Sequence, residues 1–138
     1  MVVLDTNHLT VLTKGGPRAQ RLVARLEKST QEVVTSVVCV EERIQGWISE
    51  IRRRDLWGQV EAYREFSQLI ETYARWILLP WDEEAANLFV KFRAAGVRIG
   101  TMDLKIACIT ITHDALLLTQ NAADFAKVPG LRSEDWLE

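Results

Sequence analysis

The sequence has little of several things. It holds two cysteines in 138 residues, with no CxxC spacing, and only His113 lies near either of them. That excludes a disulfide scaffold and supplies too few soft ligands for a zinc site. Cys39 and Cys108 therefore read as reduced, buried thiols. Long hydrophobic runs are missing too: Val2-Val3-Leu4 is cut short by Asp5. Such a run is too short for a signal peptide or a membrane span. Nor is there a surplus of one charge. Nineteen acids face 17 bases, for a formal net charge of −2. A large basic surface is not expected, although a local basic patch is compatible with that balance. With no internal repeat, low-complexity stretch or long linker, the expectation is one cytoplasmic domain over 1–138, with no membrane attachment.

What is present is an ordinary soluble composition, 48% apolar and 26% charged. Short β-branched or aliphatic runs alternate with longer amphipathic stretches. Strands are expected at Val2 to Leu4, Val33 to Ser36, Ile77 to Leu79 and Leu116 to Leu118, with an edge strand within Leu131 to Trp136. Helices are expected over His8 to Thr13, after Pro17, from near Cys39 or Val40, up to about Trp76, after Asp82, over Asp103 to Thr112, and in a short turn holding Asp124. The alternation predicts an α/β fold, a short and mostly parallel central sheet between layers of helices. An extra helical pair at about 47–76 breaks the alternation. It carries Trp47, Trp57, Tyr63, Phe66, Leu69 and Tyr73. Core packing is the ordinary explanation for these residues. A helical arm with surplus apolar surface for a partner is the other.

Four acids sit at element boundaries. Asp5 ends the first strand, Glu42 lies just past Val33 to Val40, Asp103 opens an apolar helix, and Asp124 follows Thr119-Gln120-Asn121. In an open parallel sheet, strand ends and the starts of following helices share one edge. Gathered carboxylates repel unless a cation lies between them, and oxygen-only ligation suits magnesium or manganese. Each acid also has a bland reading as a turn former, a helix cap or a partner of a helix N-terminus. Asn121 and Asp124 have the spacing of a cap and its partner three residues on. Thr101 is a reasonable cap for the helix that carries Asp103. Between the neighbours Glu41 and Glu42, spacing favours Glu42. Gly46 lies one turn further on the same face, and a mid-helix glycine costs about 1 kcal/mol relative to alanine. Asp114 precedes a strand and belongs on the opposite edge.

In this order and spacing the motifs resemble the PIN-domain ribonucleases, in particular the VapC-type toxins of prokaryotic toxin–antitoxin pairs. The likeness runs over essentially the full length. It begins with Val3-Leu4-Asp5-Thr6-Asn7 and continues with Ser36, Glu42 and Gly46. Trp81-Asp82-Glu83-Glu84-Ala85-Ala86 follows, then Gly96 to Gly100 with Asp103 to Ala107. Thr119, Asn121, Asp124 and Phe125 match the last motif, and Pro129-Gly130-Leu131 leads on to Trp136. Two departures stand out. Cys39 occupies a position where the family often has a hydroxyl, so the third helix is expected to start more loosely. The Glu41-Glu42 pair is also less typical.

The resemblance implies a metal-dependent endoribonuclease whose products carry a 5′-phosphate and a 3′-hydroxyl. Asp5 and Asp103 would be the principal metal ligands, and Glu42 and Asp124 would bind directly or through water. The ion would be Mg2+ or Mn2+. Thr6, Thr119 and Asn121 are placed to steady a ligating carboxylate or a phosphate. Arg98 and Arg43, ahead of Arg52, Arg53 and Arg54, are the candidates for meeting RNA. The implied partners are an RNA substrate, an antitoxin protein and a second copy in a homodimer. Rival readings fare worse. A haloacid-dehalogenase-type phosphatase needs an aspartate where Asn7 stands. A phosphorelay receiver needs an acidic pair at the first strand end and a late lysine, and neither is found. A non-catalytic or housekeeping PIN-type RNA-binding or processing protein is the remaining alternative, and the presence of all four acids counts against it.

Overall fold

The computed structural model describes residues 1–137; Glu138, the last residue of the expected unit, lies outside the described residues. Among the described residues, five strands and seven helices follow one another. β1 (Val2–Leu4), α1 (Thr6–Lys14), α2 (Pro17–Ser29) and β2 (Val33–Ser36) come first. α3 (Val37–Arg53), α4 (Gly58–Tyr73), β3 (Leu78–Leu79) and α5 (Glu83–Ala94) come next. The chain ends with α6 (Thr101–Thr112), β4 (Leu116–Leu118), α7 (Ala122–Phe125) and β5 (Arg132–Glu134).

The strands form one sheet in the order β3-β2-β1-β4-β5. The expectation of a mostly parallel sheet is exceeded, because every strand pairing is parallel. The chain builds outward from β1 to β3, then crosses back to lay β4 on the other side of β1. The order thus reverses between β1 and β4, and beyond the carboxyl ends of such strands an open α/β sheet forms its crevice. Register then fixes which residues meet there. Leu4 is level with Thr35 and with Leu118, so Asp5 leaves the sheet in the same row as Ser36 and Thr119.

Val2, Val3, Leu4, Leu117 and Leu118 are fully buried, as a parallel sheet covered on both faces requires. α6 is apolar nearly all round, with Leu104, Ile106, Ala107, Cys108 and Ile109 at no exposure. A helix with that pattern belongs in the interior. Each such aliphatic side chain contributes roughly 1.5–3 kcal/mol by leaving water. α6 is therefore firmly seated, and with it Asp103 in its first turn. Both cysteines are free and buried, as expected.

Several boundaries differ from the sequence expectation, each for a local reason. α3 begins at Val37 rather than near Cys39. The Ser36 hydroxyl accepts the Cys39 N–H at 3.1 Å, so a serine caps the helix and its start is not loosened by the thiol. Thr101 is the first residue of α6, not its cap; Gly100 holds that place without a side chain. β3 is shorter than Ile77 to Leu79 by one residue. Asp82 does cap α5, accepting the Ala85 N–H at 3.0 Å. The extra helical pair is α3 with α4, broken at residues 54–57. Its tip leaves Leu56 73% and Trp57 81% exposed, with Val60 and Tyr63 also exposed. Asp114 lies on the far edge, paired with Arg132 at 3.3 Å.

Candidate active site

Asp5 accepts more hydrogen bonds than any other member of the acidic set. It is 8% exposed, and three separate elements fix its carboxylate. Oδ1 accepts the Thr6 N–H at 2.8 Å, which also makes Asp5 the cap of α1. Oδ2 accepts the Thr119 hydroxyl at 2.7 Å, from the end of β4. The Cys39 thiol lies 3.9 Å from Oδ1. Burial and the Asp5 charge push that thiol up to about 12, so it stays protonated and faces Asp5 as a weak donor. The bland reading of Asp5 as a cap is correct but incomplete, because Thr119 and Cys39 address it from distant parts of the chain.

Thr119 performs a second task. Its Oγ1 accepts the Asn121 N–H at 3.0 Å, which turns the chain after β4. The Asn121 side-chain amide then donates to Asp103 Oδ2 at 3.2 Å and to Asp124 Oδ2 at 3.1 Å. Asn121 occupies the cap position of α7 but makes no side-chain cap bond there, so the alternative of a cap and its partner is not what its amide serves. One amide instead bridges two carboxylates from different helices. Lys127, one turn past Asp124, lies 3.5 Å from its Oδ1, an i,i+3 pair legible in the sequence but overlooked there.

Glu42 completes the set from α3. Its carboxyl is raised to about 7, first by burial, then by the charges of Asp5, Asp103 and the adjacent Glu41. Its Oε1 is buried with no hydrogen-bond partner. Asp103 is likewise raised, by burial first and then by Asp5 and Asp124, against the Asn121 hydrogen bond. Each of the four acids thus lies in the field of at least one other. They meet at the carboxyl edge of the sheet, beside the β1–β4 reversal.

As they lie, no three carboxylate, thiol or imidazole groups among the described residues close around a point that holds an ion. The donors nevertheless fit a hard divalent cation. They are all oxygen, they repel one another, and Glu42 Oε1 is a desolvated acceptor with nothing to accept from. A cation among them would offset the repulsion and give Glu42 Oε1 a partner.

The remaining expectations divide. The Thr6 hydroxyl is buried without a partner, and the residue steadies Asp5 only through its backbone N–H. Arg43 donates to the Thr10 hydroxyl and lines a groove that begins at Glu42. Arg98 is exposed, and among the described residues no hydrogen bond or ion pair ties it to the acids. Arg53 and Arg54 are both engaged with Glu50, while Arg52 is exposed.

A sequence model of the PIN domain matches residues 2–131. Ribonuclease VapC1 of Haemophilus influenzae (strain R2866) is 29% identical over 143 residues, covering 97% of this chain and 96% of that protein. The tRNA(fMet)-specific endonuclease VapC of Salmonella typhimurium (strain LT2) is 25% identical over 138 residues, with the same coverage. Among solved structures, VapBC-1 from nontypeable Haemophilus influenzae superposes with a TM-score of 0.75 at 24% identity, covering 100% of both chains. DNA-bound VapBC from Salmonella typhimurium gives a TM-score of 0.74 at 24% identity, over 98% of this chain and 97% of that one. The two superpositions show that the fold described above is shared over nearly the whole of each chain. With the domain signature running from β1 to the approach to β5, the chain belongs to the PIN domain family.

Proposed function

We propose that this chain, taken as one catalytic unit over 1–138, is a metal-dependent endoribonuclease of the VapC kind. In this reading it is the toxin half of a toxin–antitoxin pair and acts on cytoplasmic RNA. One observation carries the reading: Asp5, Glu42, Asp103 and Asp124 converge on the crevice edge, and Glu42 Oε1 is buried there without a partner. A binding module has no reason to sustain that cost, whereas a site that takes up Mg2+ or Mn2+ has.

Asp5 and Asp103 would be the principal ligands, with Glu42 and Asp124 closing the set. These residues would hold a divalent cation, which would supply the positive charge needed to polarise a scissile phosphate and to acidify an attacking water. The protein's own contribution is orientation and proton handling. Thr119 and the Thr6 N–H hold both oxygens of Asp5, so its direction is set before substrate arrives. Asn121 fixes the separation of Asp103 and Asp124. Burial and its acidic neighbours hold the Glu42 carboxyl at about 7 in the metal-free site, and a cation bound there would favour its ionised, ligating form and release the proton.

The partners follow the same reading. An antitoxin is proposed because the solved structures with this fold include toxin–antitoxin complexes. The exposed Leu56, Trp57, Val60 and Tyr63 at the tip of the helical pair are the surface assigned to a second copy of the chain. The molar mass of the purified chain in solution tests that pairing. No helix among the described residues is long and apolar enough to cross a membrane.

The activity test is cleavage of labelled RNA by wild type, Asp5→Asn and Asp103→Asn, with Mg2+, with Mn2+ and with chelator. The proposal expects cleavage by wild type with either ion, none with chelator, and a loss of about a hundredfold or more in both variants. Undiminished cleavage in chelator, or by either variant, overturns it.

A further inference from the structure

A groove of about 490 Å³ runs from Glu42 along the cleft between α1 and α3. Thr6, Lys14, Arg43, Gly46 and Trp47 line it together with Glu42, and a second acid on its wall, Glu50, is paired with Arg54. Its volume falls in the range of ligand sites, roughly 300–1,000 Å³. Three features of it bear on what it could hold.

The first is Gly46. It lies in the middle of α3, where glycine weakens a helix, and its φ is not in the left-handed region. A Cβ built there meets no protein atom within 4 Å. Neither backbone conformation nor internal packing therefore requires glycine. What the missing side chain does is widen the groove one turn from Glu42. The second is Trp47. Its half-buried ring packs on one side against the core and also borders this groove and a second cavity of about 340 Å³ that continues past Arg43 toward Tyr73. The third is Lys14. It borders both of those spaces, and also a cavity of about 310 Å³ on the other flank of α1 that reaches Asn7 and Gln120. Among the described residues Lys14 has no carboxylate within ion-pair distance, and it is exposed.

A cleft that starts at the acids, has a flat ring along one wall and a cation at its junction matches the chemistry of single-stranded nucleic acid. Aromatic faces stack bases without regard to sequence, and lysine meets backbone phosphates. We propose that the α1–α3 groove is the track on which single-stranded RNA approaches the acidic site. Gly46 leaves room for the strand, Trp47 stacks a base, and Lys14 meets a phosphate. This assignment rests on the ribonuclease reading and adds the path, the strandedness and the specificity-setting wall.

The probe is a fluorescein-labelled single-stranded RNA of mixed sequence. Binding is read by anisotropy in chelator, and cleavage by KM and kcat in Mg2+. Gly46→Leu places a side chain in the groove while replacing glycine by a better helix former. It is expected to melt above wild type, to bind the RNA about tenfold or more weakly, and to raise KM. Lys14→Gln, an exposed change that spares the fold, is expected to weaken binding and to flatten its salt dependence by about one unit of slope. Unchanged Kd and KM in Gly46→Leu, with wild type still cutting, overturns the track alone and leaves the groove to a protein occupant. A Gly46→Leu protein that melts below wild type also overturns it, because the space was then not open. Wild type that neither binds nor cuts RNA removes the ribonuclease reading and this inference together.

Discussion

The hydroxyl of Thr119 donates to Asp5 Oδ2 at 2.7 Å, joining two residues 114 positions apart. The bond exists because β1 and β4 are neighbours in register, with Leu4 level with Leu118, so the residues that follow both leave the sheet side by side. Both ends of the bond are buried. The crossover that returns the chain to β1 after β3 is thus what assembles the acidic edge.

Thr119→Val keeps the shape of the side chain and removes the donor. Asp5 Oδ2 then loses its partner in a buried setting, at a cost of about 1–3 kcal/mol. The turn after β4 loosens as well, since Asn121 N–H also depends on Thr119. Partners that orient metal-binding carboxylates are typically worth about 10–100-fold in metal affinity. The expected outcome is a modest fall in denaturant midpoint with a loss of Mn2+ affinity in that range. Calorimetry with Mn2+ and a urea melt check the two parts separately.

Glu42 makes a prediction about pH. Its carboxyl titrates near 7 in the folded metal-free protein and near 4.5 when unfolded. Between those values the folded state binds more protons than the unfolded one, so this group lowers stability as pH rises. Metal-free protein is expected to lose stability from about pH 4.5 to about 7, on account of Glu42. Glu42→Gln is expected to flatten that slope and to be the more stable protein at pH 8. Chemical unfolding in chelator at several pH values measures it; a wild-type slope that the variant leaves unaltered contradicts the assignment.

Much of this architecture was legible in the sequence. β1, β2 and β4 are apolar runs ended by Asp5, Ser36 and Thr119, and their periodicity and length left little room for helices. Asp82 and Pro17 marked helix starts by chemistry that acts locally. The four acids could be placed on one edge because strand ends in a parallel sheet share a direction. Side-chain geometry was not legible. Asn121 has the spacing of a cap, yet its amide turns outward to Asp103, which is 18 residues away and on another helix. Cys39 read as a weak cap, whereas Ser36 three residues earlier caps the helix and the thiol turns to Asp5. Both outcomes depend on which elements pack beside the residue, and local spacing does not carry that.

His8 is a fully buried histidine on α1, outside the acidic set. Its Nε2 accepts the Trp136 backbone N–H at 3.2 Å and lies 3.5 Å from Asp135 Oδ1, so it fastens the segment after β5 to α1. Burial lowers its pKa, opposed by the charges of Asp135 and Asp5 and aided by those of Arg18 and Arg25. The folded state therefore binds fewer protons than the unfolded one below about pH 6.5. Stability from this group is full above that value and is lost as pH falls. His8→Gln is expected to melt below wild type at pH 8 and to show a shallower acid slope between pH 7 and 5. Thermal melts across that range decide it, and an acid slope identical to wild type contradicts the role given to His8.

The central claim is that Asp5, Glu42, Asp103 and Asp124 share a divalent cation. Titration of the metal-free chain with Mn2+, followed by electron paramagnetic resonance, tests it most directly. The account predicts saturable binding of one or two ions by wild type, weakened about a hundredfold or more in Asp103→Asn, with the far-UV circular dichroism of the two proteins superimposable. Mn2+ binding of equal strength in wild type and Asp103→Asn, or none in either, contradicts it.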